Sequence, residues 1–103
     1  MRGDVFRIKP HRRQGHEQQG ERYAVVVQSD NLPLSTVIVI PTSTSCTPTS
    51  FRPTVRICER ETYAMVEQLA AVDWGRLGEP VERLTFAEMQ DIDQALDLVI
   101  GRT

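Results

Sequence analysis

Several things this sequence lacks narrow what the protein can be. Its only thiols are Cys46 and Cys58 and its only histidines are His11 and His16, so no Cys/His quartet exists for a structural zinc and no metal site is expected. Two thiols can form at most one bridge, and in a reducing compartment a lone pair stays reduced, so both cysteines read as structural. No stretch approaches the ~18 uninterrupted apolar residues of a membrane span, and the charged N-terminus has no apolar core of a secretory signal. Neither insertion nor export is expected, and the predicted location is the cytoplasm. Internal repeats and long disordered tracts are missing as well. A chain of 103 residues, 40% of them hydrophobic, makes one small domain spanning 1–103. Domains of this size bury only ~65% of the surface exposed when unfolded, so a partner subunit would help.

A large excess of one charge is also missing. The formal net charge is -2, which taken alone argues against a nucleic-acid partner. The charges are segregated, however. Residues 1–22 hold six basic groups (Arg2, Arg7, Lys9, Arg12, Arg13, Arg22) against three acids, a local net of +3, and the rest of the chain carries -5. This basic cluster coincides with the most informative segment, Gly15-His16-Glu17-Gln18-Gln19-Gly20-Glu21-Arg22, which runs into the apolar stretch Tyr23 to Val27. Two glycines free the backbone, every residue between them can hydrogen-bond, and the valine run anchors Arg22 on rigid structure. That is the composition of an active-site loop with a local phosphate-attracting surface.

Around this loop the sequence reads as mainly β. Asp4 to Ile8 alternates as a first strand, and Pro10 to Glu21 is the loop. Tyr23 to Gln28 and Thr36 to Ile40 are β-branched runs too short for helices, predicting the buried centre of a sheet. A Ser/Thr/Pro-rich loop over 41–50 follows. Phe51 to Cys58 and Tyr63 to Gln68 then read as strands joined at Glu59-Arg60-Glu61, Asp73 caps a helical turn through Leu77, and Val81 to Leu84 is a last strand. The sheet is expected to be largely antiparallel. Thr85-Phe86-Ala87-Glu88 is a capping box opening a helix whose stripe is Phe86, Met89, Ile92, Leu96 and Val99, ended by Gly101.

With the opening Arg2-Gly3-Asp4, the glycine-bounded loop and Arg22, the chain resembles the MazF/PemK/Kid family of toxin endoribonucleases. The likeness continues through Ser35 to Ser43, similar to that family's central strand, Val66 to Asp73, and the terminal helix from Leu84 to Gly101. It implies an SH3-like/CcdB-like β-barrel with a C-terminal α-helix, and the toxin of a type II toxin-antitoxin pair. Such a toxin cuts single-stranded RNA without a metal or cofactor, works as a homodimer and is inhibited by an antitoxin polypeptide. The implied products carry a 2′,3′-cyclic phosphate and a 5′-hydroxyl.

The chemistry suits the residues. The ribose 2′-hydroxyl supplies the nucleophile, so the protein has only to remove a proton and stabilise charge at phosphorus. Arg22, in the family's catalytic arginine position, can bind phosphate oxygens bidentately and stays charged. Tyr23 stands where that family usually has proline. The register of the resemblance puts Ser43 on the catalytic hydroxyl and Thr44 beside it; a one-residue gap would move the role to Thr42. His16, Glu17 and Glu67 can serve as base or as orienting groups, with Glu67 read as ordering the site. Arg12, Arg13, Gln18, Gln19, Thr42, Arg52 and Gln68 are the expected RNA contacts, and Ala70 replaces a basic residue common in the family. Two alternatives stand beside this reading: a CcdB-like gyrase poison, which the Arg22 and Ser43 register opposes, and a catalytically silent RNA-binding or repressor-subunit barrel, which the departures at Tyr23, Ser43 and Ala70 keep open.

Overall fold

A computed structural model describes residues 1–9 and 22–102. Among these residues seven strands and one α-helix follow in order: β1 (Asp4–Ile8), β2 (Tyr23–Val26), β3 (Thr36–Ser43), β4 (Thr54–Ile57), β5 (Arg60–Ala64), β6 (Ala70–Asp73), β7 (Leu77–Arg83) and α1 (Phe86–Val99). They form one antiparallel sheet in the order β4-β5-β3-β2-β1-β7, with β6 also paired to β3. The expected loop over 10–21 lies outside the described residues.

The eight-residue β3 organises the molecule. One of its edges carries β2 along Ala24↔Pro41 to Val26↔Val39. The other carries two strands end to end, β6 against Thr36 to Val39 and β5 against Thr42 and Ser43. Between β5 and β6 the chain leaves the ladder as a 3-10 turn at Val66–Gln68. This break explains how β3 runs through Pro41, where sequence reading ended the strand. The Pro41 carbonyl accepts from Met65 N at 2.9 Å, so the N–H that proline lacks would also point toward the interrupted edge, where the ladder needs no donor.

Alternate residues of the central strands enter two apolar clusters. Val25 and Ile40 join Val5, Val55, Ile57 and Val66 beneath α1, which contributes Met89, Ile92 and Ala95. Ala24, Val26, Val37 and Val39 turn the other way and meet Leu77, Phe6, Ile8 and Val72. Burial on both faces is why β2 and β3 read as unbroken apolar runs rather than as alternation. The sheet curls around the first cluster and α1 closes it, which is the barrel-with-helix architecture.

Local chemistry accounts for the remaining boundaries. Both halves of the capping box are present: Glu88 N donates to Thr85 Oγ1 at 3.1 Å and Thr85 N to Glu88 Oε1 at 2.9 Å. Glu88 Oε2 also accepts from Arg56 N at 2.8 Å, fixing the helix start to β4. Phe86, expected on the buried stripe, is 79% exposed, and Ala95 fills a stripe position instead. The β4–β5 turn is Cys58-Glu59, not Glu59 to Glu61. Both residues have positive φ, 52° and 65°, the pattern of a two-residue primed hairpin turn, which carries no glycine here to announce it. Asp73 precedes a 3-10 turn at Trp74–Arg76 without capping it through its side chain. Strand β7 starts four residues earlier than Val81 and tolerates Pro80 because it lies at the sheet edge, paired irregularly with β1.

Candidate active site

Strand register brings the two principal candidates together. Ile8 N donates to the Arg22 carbonyl at 2.9 Å, continuing the β1–β2 ladder beyond Arg7↔Tyr23. On the other side of β2, Ala24 faces Pro41, and continuing that register by two residues sets Arg22 opposite Ser43. Residues directly opposite in an antiparallel pair project from the same face. Arg22 and Ser43 therefore share the face that carries Ala24, Val26, Val37 and Val39. Ser43 is in turn opposite Tyr63, and Tyr63 opposite Thr54, which gives a cross-strand row Arg22, Ser43, Tyr63, Thr54.

The three neighbouring hydroxyls have different surroundings. Thr42 projects to the opposite face, is 5% exposed, and donates to the Tyr23 carbonyl at 3.3 Å. Ser43 is half-buried, and its Oγ accepts from Ser45 N at 3.1 Å with Ser45 Oγ at 3.5 Å. Thr44 is exposed beyond the end of the strand. Arg22 is exposed and its position depends on its backbone. Sequence reading missed Tyr63 and Ser45. The Ser-x-Ser spacing at 43 and 45 is a turn signal that points to the second, whereas Tyr63 reaches the row only through pairing of distant segments.

Arg52 and Glu67 form a second unit. Arg52 donates from Nε to Glu67 Oε2 at 3.1 Å, from Nη2 to the same oxygen at 2.5 Å, and from Nη1 to the Thr47 carbonyl at 2.9 Å. Its guanidinium carbon lies 5.8 Å from the Phe51 ring centroid. The hydrogen bond from Arg52 holds the Glu67 carboxyl below its ordinary value, against the opposing effect of burial. A carboxylate so stabilised is a weaker base, which fits an ordering role. Glu67 also lines a hollow of about 340 Å³ with Ser50, Phe51, Leu98 and Val99. Its neighbour Gln68 lines a different hollow, with Pro41. The 3-10 turn thus sends Glu67 and Gln68 in different directions, and Gln68 is the one adjacent to the Arg22 and Ser43 face.

This pair predicts a specific acid response. The folded Glu67 carboxyl titrates below its unfolded value, so its contribution to stability is complete above ~4.3. It is lost as pH falls through the folded value. Urea midpoints measured between pH 7 and about 3 should decline less steeply for Glu67→Gln than for the unaltered protein; parallel curves would show that the pair does not act in this way.

Other expected residues separate. Arg2 is structural, pairing through Nη2 with Asp93 of α1 and donating from Nε to the Val27 carbonyl at 3.0 Å. Arg7 packs its guanidinium 5.7 Å from the Tyr23 ring centroid. Arg12, Arg13, His16, Glu17, Gln18 and Gln19 lie outside the described residues. Cys46 and Cys58 are both unbridged. Among the described residues, no group of three or more His, Cys, Asp or Glu is placed to hold a metal ion, and no helix is long and apolar enough to cross a membrane.

The small curled barrel with a closing helix is a fold that the comparisons also find. Residues 1–100 match the family model for the PemK-like, MazF-like toxin of type II toxin-antitoxin systems, and the chain belongs to that family. It is 36% identical to the Mycobacterium tuberculosis protein Rv3098A/RVBD_3098A, an alignment covering 98% of this chain and 97% of that one. It is 31% identical to the endoribonuclease MazF of Staphylococcus epidermidis, covering 97% and 90%. In fold it is similar to a mycobacterial endoribonuclease solved in complex with its cognate antitoxin, with a TM-score of 0.81 at 19% identity over 100% of this chain and 96% of the other.

Proposed function

We propose that this protein is a cytoplasmic toxin that cuts single-stranded RNA at selected sequences and is silenced by a cognate antitoxin polypeptide. What supports this reading is the β2–β3 register, which, extended two residues past Ala24↔Pro41, sets Arg22 opposite Ser43. In the reaction the 2′-oxygen bonds to phosphorus as its proton leaves to a base, and the bond from phosphorus to the 5′-oxygen breaks as that oxygen takes a proton. The ends are a 2′,3′-cyclic phosphate and a 5′-hydroxyl. Arg22 neutralises charge on the non-bridging oxygens through its fork, and Ser43 donates to one of them. His16 and Glu17 are the candidates for proton transfer.

Because the substrate carries its own nucleophile, cleavage should persist in excess EDTA. Primer extension on a long RNA incubated with purified protein reads this directly; activity lost in chelator and restored by a divalent ion would overturn the mechanism.

Two copies are expected to associate. The core is small, and Leu98, Val99 and Ile100 leave an exposed apolar run at the end of α1. Dimer contacts of stable kind bury ~1,600 Å² in total. Sedimentation at micromolar concentration should give a dimer mass; a strict monomer that retains activity would sink this element. The antitoxin is expected to bring an acidic or amphipathic segment that folds over the basic loop and competes with RNA.

A further inference from the structure

The face that carries Arg22 and Ser43 also carries a hollow of about 100 Å³, walled by Val39, Pro41, Val72 and Leu77, with Gln68 and Arg76 as its polar residues. It adjoins the candidate site on two sides. Pro41 stands two residues before Ser43 on β3, ~7 Å along the strand. Ile8, another wall residue, hydrogen-bonds the Arg22 carbonyl at 2.9 Å.

Arg76 is the unusual member. Its Nε is buried without a hydrogen-bond partner, alone in this among the side-chain atoms of the described residues. A buried guanidinium N–H is an obligate donor, and leaving it unmatched costs free energy that folded proteins normally avoid. The main chain at Arg76 is held in place, since Lys9 N donates to the Arg76 carbonyl at 3.0 Å and ties the 3-10 turn to the end of β1. Arg76 also lines this largely apolar hollow, so an unmatched donor belongs to one of its wall residues, close to Arg22: flat apolar contact with one directional polar contact is the composition of a ligand subsite.

We infer that this hollow receives one pyrimidine base of the RNA, next to the scissile phosphate, with a ring carbonyl oxygen accepting from Arg76 Nε, and that Arg76 is thereby a specificity-determining residue. The inference rests on the endoribonuclease reading above. Size favours a single six-membered ring, because a closed apolar cavity of ~150 Å³ takes one benzene and this hollow is smaller and partly open. Chemistry favours a base over an apolar side chain of a polypeptide. A leucine or phenylalanine would fill the space but leave the Nε donor unmatched, whereas uracil and cytosine both offer O2 to it. Single-stranded RNA is read through such unstacked bases, held by flat contacts and hydrogen bonds to their edges.

The test is cleavage of oligonucleotides that carry the preferred sequence of the unaltered protein, or single-base changes and an abasic nucleotide at each position beside the cut. The unaltered protein should prefer a pyrimidine at one such position. In Arg76→Met, and independently in Ala70→Leu, which narrows the hollow from an exposed wall position, that preference should shrink about 10- to 100-fold. With the abasic substrate the variants and the unaltered protein should converge in rate. Having Ala70→Leu beside it keeps the test decisive if Arg76→Met fails to fold by circular dichroism. Unchanged sequence profiles in folded variants would overturn the inference and leave the endoribonuclease reading intact. An unchanged RNA profile with weakened antitoxin binding would overturn it in favour of a polypeptide occupant. An unaltered protein that cuts no RNA would sink both.

Discussion

Arg22→Ala is expected to lower single-turnover RNA cleavage by about 10²- to 10³-fold, the usual cost of removing one preorganised donor from a developing charge. The circular dichroism spectrum and urea midpoint should barely move. Arg22 is exposed, and what it gives the sheet is a carbonyl that accepts from Ile8 N, which alanine retains. Arg22→Lys should recover only part of the loss, because an ammonium supplies charge without the planar fork that grips two phosphate oxygens. A folded Arg22→Ala protein cutting at the unaltered rate would remove the site from this face.

The second large effect separates two adjacent hydroxyls. Ser43→Ala should reduce cleavage by about 10- to 100-fold, in line with losing a hydrogen bond to a charged group, with little change in stability. Thr42→Val should do the reverse. Thr42 is buried and bonded to the Tyr23 carbonyl at 3.3 Å, so its isostere should cost about 1 kcal/mol of stability while cleavage stays close to normal. Paired rate and denaturation measurements on both variants decide between them. A greater kinetic loss at Thr42 than at Ser43 would mean that the reacting phosphate lies on the opposite face of β3.

Much of this arrangement is legible in the sequence, for physical reasons that also explain the gaps. The bounds of β1, the starts of β2 and β3, and the capping box of α1 follow from local chemistry: β-branched runs, turn residues, and a threonine three residues before a glutamate. Where tertiary contacts decide, local patterns mislead. Tyr63 to Gln68 alternates like one strand, yet Val66 is drawn into the core beneath α1 and the backbone coils to let it in. Phe86 has the spacing of a stripe residue, but the capping box sets the first turn so that Met89, Ile92 and Ala95 face the sheet. The Cys58-Glu59 turn needs positive φ from two residues that give no sign of it.

The same division holds for the candidate site. Arg22 and Ser43 stand out as candidates because each lies at the end of an apolar strand and within a family pattern. Arg76 and Tyr63 do not, since each enters the neighbourhood through strands paired across long stretches of chain. The sequence suggests Glu67 as an ordering group; in the structure it hydrogen-bonds Arg52.

The Arg22 and Ser43 alignment is an extension of the β2–β3 register from Ala24↔Pro41, so it should survive any change of side chain that leaves the ladder intact. Wall positions such as Ala70 and Gln68 belong to β6 and the turn before it, on the other edge of β3 from Arg22. If the proposed site and hollow hold, an engineer has two separate design variables: the cutting frame would be inherited with β2 and β3, while selectivity would be rewritten on the opposite edge by a library confined to a handful of codons.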